Sequence, residues 1–358
     1  MTNPSIGRRA IHTRHRNKRP SPWLACCATA IALLCGATLT ATNAFACACG
    51  CSVFDVGGIG GLPQEDDHGG RIFFEYYHAN QTQNWIGTSK APASLNVDKR
   101  ITTNWYTVGG SYMFNREWGV MGKVPYADRT FVTQDPDSGA LNKFKSTDWG
   151  DAELMGMYTG FFKDMSTGLL FGLKLPTGVD TARGIDRDTQ IGSGSTDLIL
   201  GAFHRGIITG DNAWQYFSQV RWLKPFAYKS AFNPDTGVVE TYKPGAQIDG
   251  AIGIVYNNGY KLFGFDKIAP LLQLIGSHRE RDSGTGADPL NTGYDRLMIS
   301  PGVEFTLVLD EANKRVLKVY GDVEVPIYQR MNAGVADGGR NGQLVAPVLY
   351  KLSAAYTF

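Results

Sequence analysis

In RVLKVYGDVEVPIY (315–328), Leu317, Val319, Gly321, Val323, Val325 and Ile327 fall on one face of an extended chain. Lys318, Tyr320, Asp322, Glu324 and Tyr328 fall on the other. The closing stretch LVAPVLYKLSAAYTF (344–358) repeats the device, with Leu344, Ala346, Val348, Tyr350, Leu352, Ala354, Tyr356 and Phe358 opposite Lys351, Ser353 and Thr357. A period of two marks a strand, not a helix. Twelve segments read this way, at approximately 71–79, 103–114, 117–126, 150–160, 166–176, 195–206, 213–223, 245–256, 266–276, 295–308, 314–327 and 343–358. Most are longer than the ~5–6 residues of soluble strands, and match the ~9–11 that a tilted strand needs to cross a bilayer.

The connections alternate in length. NRE (115–117), KDMS (163–166), TGDN (209–212), NNGYKLFGF (257–265) and DEAN (310–313) are short. Those near 80–102, 127–149, 177–194, 224–244, 277–294 and 328–342 are long and rich in Gly, Asp, Asn, Ser, Thr and Pro. Short periplasmic turns and long external loops are the rhythm of an outer-membrane barrel. Trp214 and Trp222 share a face eight residues apart, as do Trp118 and Tyr126. At ~3.3 Å per residue and a tilt near 40°, that spacing projects to roughly 20 Å, close to the ~25 Å between aromatic girdles. A soluble β-sandwich also alternates, but it requires neither this rhythm nor these girdles. The expected fold is therefore all-β: an antiparallel transmembrane β-barrel of about twelve strands spanning 71–358. An even strand number puts both termini in the periplasm.

The last strand ends in Phe358, with Tyr350, Leu352 and Tyr356 at every second position before it. This resembles the signal by which bacterial outer-membrane proteins engage their assembly machinery, where alternate side chains fill pockets while the backbone pairs. NREWGVMGKVPY (115–126), WGDAELMGMYTG (149–160), TGLLFGLKLPTG (167–178) and GSGSTDLILGAF (192–203) look like phrases of the outer-membrane proteins grouped as MetA-pathway of phenol degradation. The resemblance spans most of 100–358 and implies a barrel that passes small or aromatic compounds. One barrel design hosts many permeants, so substrate stays open.

Residues 1–46 stand apart. Arg8, Arg9, Arg14, Arg16, Lys18 and Arg19 precede an apolar run, LACCATAIALLCGATL (24–39), and NAFA (43–46) ends on small residues. That is a secretory signal, expected to be cleaved after Ala46. Six basic residues and no acidic one leave with it, so 35 Lys and Arg against 33 Asp and Glu become 29 against 33. The mature chain is thus acidic, and nucleic-acid binding loses its electrostatic support.

The mature chain keeps three of its six cysteines, Cys47, Cys49 and Cys51, in FACACGCSVF (45–54). Four readings stay open: lipidation of Cys47, a strained disulfide, a soft-metal site for Cu(I) or another soft ion, or assembly with a partner. Residues 47–70, rich in Gly and charge, read as a periplasmic arm or plug.

If the apolar faces meet lipid, the opposite faces line the lumen. Alternation assigns Glu75, Lys123, Asp151, Glu153, Lys174, Asp197, Arg205, Arg221, Asp249, Glu304, Lys318, Asp322, Glu324 and Lys351 to it. Mixed signs in a narrow interior are expected to pair. Enzyme chemistry has little basis. His68, His78, His204 and His278 are scattered, a hydrolytic pair such as Ser218 and His204 has little beyond adjacency to support it, and GSGST (192–196) lacks the Lys of a phosphate loop. Two functions follow. One is a channel or transporter for small, aromatic or hydrophobic solutes, with outer-membrane lipids, assembly machinery and the permeant as partners. The other is an outer-membrane protein whose Cys47, Cys49 and Cys51 capture or deliver copper or another soft metal.

Overall fold

The computed structural model describes residues 69–135, 138–185, 187–233, 237–257, 260–334 and 342–358. Twelve antiparallel strands close on themselves: β1 Gly69–Gln81, β2 Asp98–Met113, β3 Trp118–Gln134, β4 Ala152–Tyr158, β5 Thr167–Leu175 and β6 Ser195–Ile207, then β7 Trp214–Tyr228, β8 Gln247–Tyr256, β9 Phe265–Arg279, β10 Tyr294–Asp310, β11 Arg315–Met331 and β12 Leu349–Thr357. Each strand pairs with its sequence neighbour, and β1 pairs with β12 to shut the cylinder. A closed barrel leaves no unpaired edge, which is what lets a sheet cross hydrocarbon.

Phe358 and Gly70 exchange two backbone hydrogen bonds of 2.9 Å, so the chain end sits at the short-turn end beside the start of β1. There Thr209 Oγ1 donates to Asp211 at 2.5 Å and Ala213 N to the same carboxylate at 3.0 Å. These two donors hold the Asp211 carboxyl below its usual range in a turn outside the barrel wall.

The outward face explains why the alternation exists. Ile72, Val108, Val124, Leu154, Leu173, Ile252 and Val323 are exposed on it. They are bounded by two aromatic rows. One holds Trp118 on Tyr158 at 4.8 Å and Trp214 on Tyr256 at 5.1 Å. The other holds Tyr76 on Tyr106 at 5.3 Å and Tyr126 on Trp149 at 5.2 Å. Amphipathic rings at both rims of an apolar band are the mark of a bilayer-spanning barrel.

Several boundaries differ from the sequence reading. The first strand starts at Gly69, inside what read as the arm. Residues 141–149, read as loop, form a strand (Leu141–Trp149) that pairs with the upper half of β3, while β4 pairs with its lower half. The fourth wall element is thus one descending strand broken at Gly150–Asp151. The last strand begins at Leu349, not 343. Gln343–Val345 instead joins Gln83–Ile86 and Ser89–Lys90 in a small separate sheet, and Leu344 and Ala346 are buried. Tyr328 points outward, because a register shift near Leu297 and Met298 turns β11 over and sends Gln329 inward instead. The signal, the cleavage site and Cys47, Cys49 and Cys51 lie outside the described residues.

Candidate functional site

The inward face is packed in two ways. Phe203, Phe217, Leu271, Ile275, Met298, Tyr320 and Leu349 belong to one apolar cluster inside the cylinder. Charged residues fill the rest, and they pair as low-dielectric burial demands. Lys123 and Arg221 hold Glu153 at 3.4 and 3.2 Å, and Arg221 reaches Asp249 at 3.7 Å. Lys174 lies 2.6 Å from Asp197 and 3.6 Å from Asp151. Lys318 pairs with Glu304 at 3.3 Å, and Lys351 with Glu75 at 3.9 Å. Asp322 accepts from Gln273, Ser300 and Tyr320 at 2.9, 2.8 and 2.6 Å. Glu324 is buried two residues further along the same face. Arg205, near the short-turn end, donates to the carbonyl of Asp164 at 2.8 Å. Cross-strand register explains the matches: Lys123 faces Glu153, Glu153 faces Lys174, and Lys174 faces Asp197 across three successive pairings.

The described residues of the connection after β5, 176–185 and 187–194, whose span 177–194 read as an external loop, fold down inside the barrel instead. Asp151 draws them in. Its carboxylate accepts from Gly178 N at 3.1 Å, from Ser193 N at 2.9 Å and from Ser193 Oγ at 2.5 Å. Arg129, on the inward face of β3, donates to the carbonyls of Thr189 and Gln190. Within the segment, Arg187 bonds Asp180 at 3.1 Å and the Ser193 carbonyl at 2.9 Å. Ile185 enters an apolar cluster with Ile101, Phe131 and Leu344. A buried carboxylate and a buried guanidinium thus supply the donors and acceptors that an inserted backbone requires.

A cavity of about 180 Å³ is lined in part by this segment. Its walls carry five basic side chains (Lys123, Arg129, Lys174, Arg187 and Arg279) against three carboxylates (Asp151, Glu153 and Asp197). Trp105, Pro125, Ile191, Leu223 and Tyr242 supply apolar surface. Arg187 stacks over the Tyr242 ring at 4.2 Å and Arg129 over Trp105 at 5.5 Å. Asp282, reached by the Tyr242 hydroxyl, by Gly245 N at 2.7 Å and by Arg279 at 2.7 Å, fixes the far wall.

The structure gathers Lys123, Asp151, Glu153, Lys174 and Asp197 at this cavity, with Arg221 and Asp249 directly behind them. Glu75, Glu304, Lys318, Asp322, Glu324 and Lys351 lie in the interior away from it. Sequence reasoning missed Trp105, Arg129, Arg187, Tyr242 and Arg279. Extending β3 by its own alternation past Tyr126 would have put Arg129 inward, and Trp105 follows from the face of β2. Arg187 and Tyr242 sit in connections that carry no period. His204 and Ser218 are register partners, but His204 bonds Thr167 at 2.7 Å and Tyr216 at 2.9 Å, with a carboxylate on neither ring nitrogen. Among the described residues no group of three or more His, Cys, Asp or Glu is placed to hold a metal.

These features define a transmembrane β-barrel with an inserted constriction. No family model matches the chain, and no curated protein does. Among solved structures, it is similar to an outer membrane channel from Pseudomonas putida F1, at 13% identity and a TM-score of 0.55, over 82% of this chain and 97% of that one. The transport unit of the autotransporter AIDA-I from Escherichia coli aligns over 82% and 91% of the two chains, at 9% identity and a TM-score of 0.45. At such identity the likeness to the first speaks to the fold alone.

Proposed function

We propose that the protein is a passive channel of the bacterial outer membrane for small solutes, with its termini in the periplasm. The observation that carries this is the cavity itself, a space of about 180 Å³ in the barrel interior lined in part by the inserted segment. Its mixture of ring faces and guanidinium groups suits a small aromatic or hydrophobic solute bearing a negative charge. Arg187 and Arg279 already pair with Asp180 and Asp282, so the preference for anions is local to the guanidinium faces rather than a matter of net charge. Passage of small or aromatic compounds is also what the resemblance over most of 100–358 implies. The partners are then outer-membrane lipids along the exposed band, assembly machinery at the last strand, and the permeant. The residues Glu75 to Lys351 named above form the lumen lining, most of them as a scaffold of ion pairs.

The test is conductance of the purified protein in planar bilayers. We expect discrete steps, a reversal potential in a salt gradient that favours anions, and a reduction in current by small aromatic carboxylates. Folded protein that inserts with heat-modifiable mobility yet stays silent, both as wild type and after the 176–194 segment is loosened, would overturn the reading.

A further inference from the structure

Seven methionines lie in the described residues; Met113, Met157 and Met165 share one cluster near the short turns with Met121 packed against it, and Met155 sits in an adjoining cluster that Met121 also touches. Met113 on β2 is the register partner of Gly119 on β3, and Gly119 is the partner of Met157 on β4. Gly119 has no side chain, and a Cβ there would lie 2.4 Å from the Met113 sulfur and 2.9 Å from the Met157 methyl carbon. Two thioether chains therefore converge from both neighbouring strands over one glycine. Two residues further up, Met121 and Met155 face each other directly across β3 and β4. Met165 enters the same cluster from the turn before β5 and is fully buried.

Met165 reaches it from a backbone φ of 51°, a left-handed conformation that residues other than Gly, Asn and Asp rarely adopt. An unbranched apolar chain held in that state, with its side chain wholly inside the cluster, motivates a role beyond packing. Leucine would fill the same volume. What methionine adds is a soft, uncharged sulfur donor, and such donors select Cu(I).

We propose that this methionine patch binds a soft monovalent metal ion, Cu(I), for which Ag(I) is a redox-inert stand-in. Met113, Met157 and Met165 are the primary donors, with Met121 adjoining. The site does not depend on the solute that the channel carries, and it does not use the cysteines. It lies beside the first described residue: Gly69, at the start of β1, is the register partner of Met113.

The test uses the full mature chain with Cys47, Cys49 and Cys51 changed to Ser, so that thiolates contribute nothing. Cu(I) is titrated against a competing chelator, and Ag(I) is added to protein carrying ¹³C-labelled methionine methyls. We expect one bound ion, with methyl shifts confined to the patch while Met298 and Met331 stay in place. Thioethers carry no proton, so affinity should be flat from about pH 5 to 8, unlike that of thiolates or imidazoles. Met113→Leu/Met157→Leu/Met165→Leu should weaken binding about a hundredfold or more, since loss of even a ligand's supporting partners costs ~10–100-fold. Absence of binding, unchanged binding in a triple variant of normal heat-modifiable mobility, or shifts outside the patch would each overturn the proposal. If the triple variant does not fold, the methyl pattern of the otherwise unaltered chain decides alone.

Discussion

Gly178 and Gly192 meet backbone to backbone: a methyl group on Gly192 would fall 2.4 Å from the carbonyl carbon of Gly178. Gly178 in turn packs on Gly150, where its own Cβ would lie 2.9 Å from the Cα. The two arms of the inserted segment can close only because these positions lack side chains. Gly192→Val should therefore lift the segment off Asp151 and widen the path. Single-channel conductance is expected to rise severalfold with heat-modifiable mobility unchanged. Equal conductance would mean that the segment does not set the constriction.

Lys174 neutralises two carboxylates at once. Lys174→Met leaves Asp151 and Asp197 without that cation, and breaking a buried pair from one side costs ~3–5 kcal/mol. The midpoint of unfolding in denaturant should fall accordingly. Adding Asp197→Asn should restore part of the loss, because one stranded charge is then removed. A single variant as stable as wild type would show that water reaches these carboxylates freely.

Depth in the bilayer gives a graded prediction. Ile252 lies midway along β8, between Ile248, which pairs with Trp222, and Tyr256, which pairs with Trp214. Ile252→Arg should cost ~2–4 kcal/mol and Ile248→Arg only ~0–1, as expected for arginine at the midplane and near an interface. Unfolding titrations in lipid vesicles measure both. Equal costs would displace the membrane band inferred from the aromatic rows.

At the chain end, the Phe358 ring covers Gly70, where a Cβ would lie 2.6 Å from it, and stacks on Tyr356 at 5.9 Å between centroids. Deletion of Phe358, or Tyr356→Asp/Phe358→Asp, should lower the amount of protein in the outer membrane and raise periplasmic degradation. Normal levels after both changes would place the assembly signal elsewhere.

The barrel wall was legible because one face of each strand must meet lipid, and that demand imprints a period of two. Where the demand stops, so does the signal. Residues 141–149 pair with β3 above the aromatic row, where Lys143 and Lys145 can face water, so their strand reads as loop. β11 keeps its period until the register shift displaces Tyr328, and no residue type announces that shift. The charged interior followed from the same alternation, and the register then made its partners. The inserted segment was not legible. Gly178, Asp180, Arg187 and Ser193 have the composition of any solvated loop, and only the buried Asp151 and Arg129 reveal where they go.

The strands of the long-loop half stand well clear of the lipid. β3 continues eight residues beyond Tyr126 to Gln134, and the Asp128–Lys145 pair at 3.3 Å already lies past the aromatic row. At ~3.3 Å per residue and a 40° tilt that is a collar roughly 20 Å tall. Fixed charges are screened over ~8 Å at physiological salt. A solute approaching the rim of that collar is thus beyond the reach of lipid headgroup charge, and the first electrostatic field it meets is the protein's own.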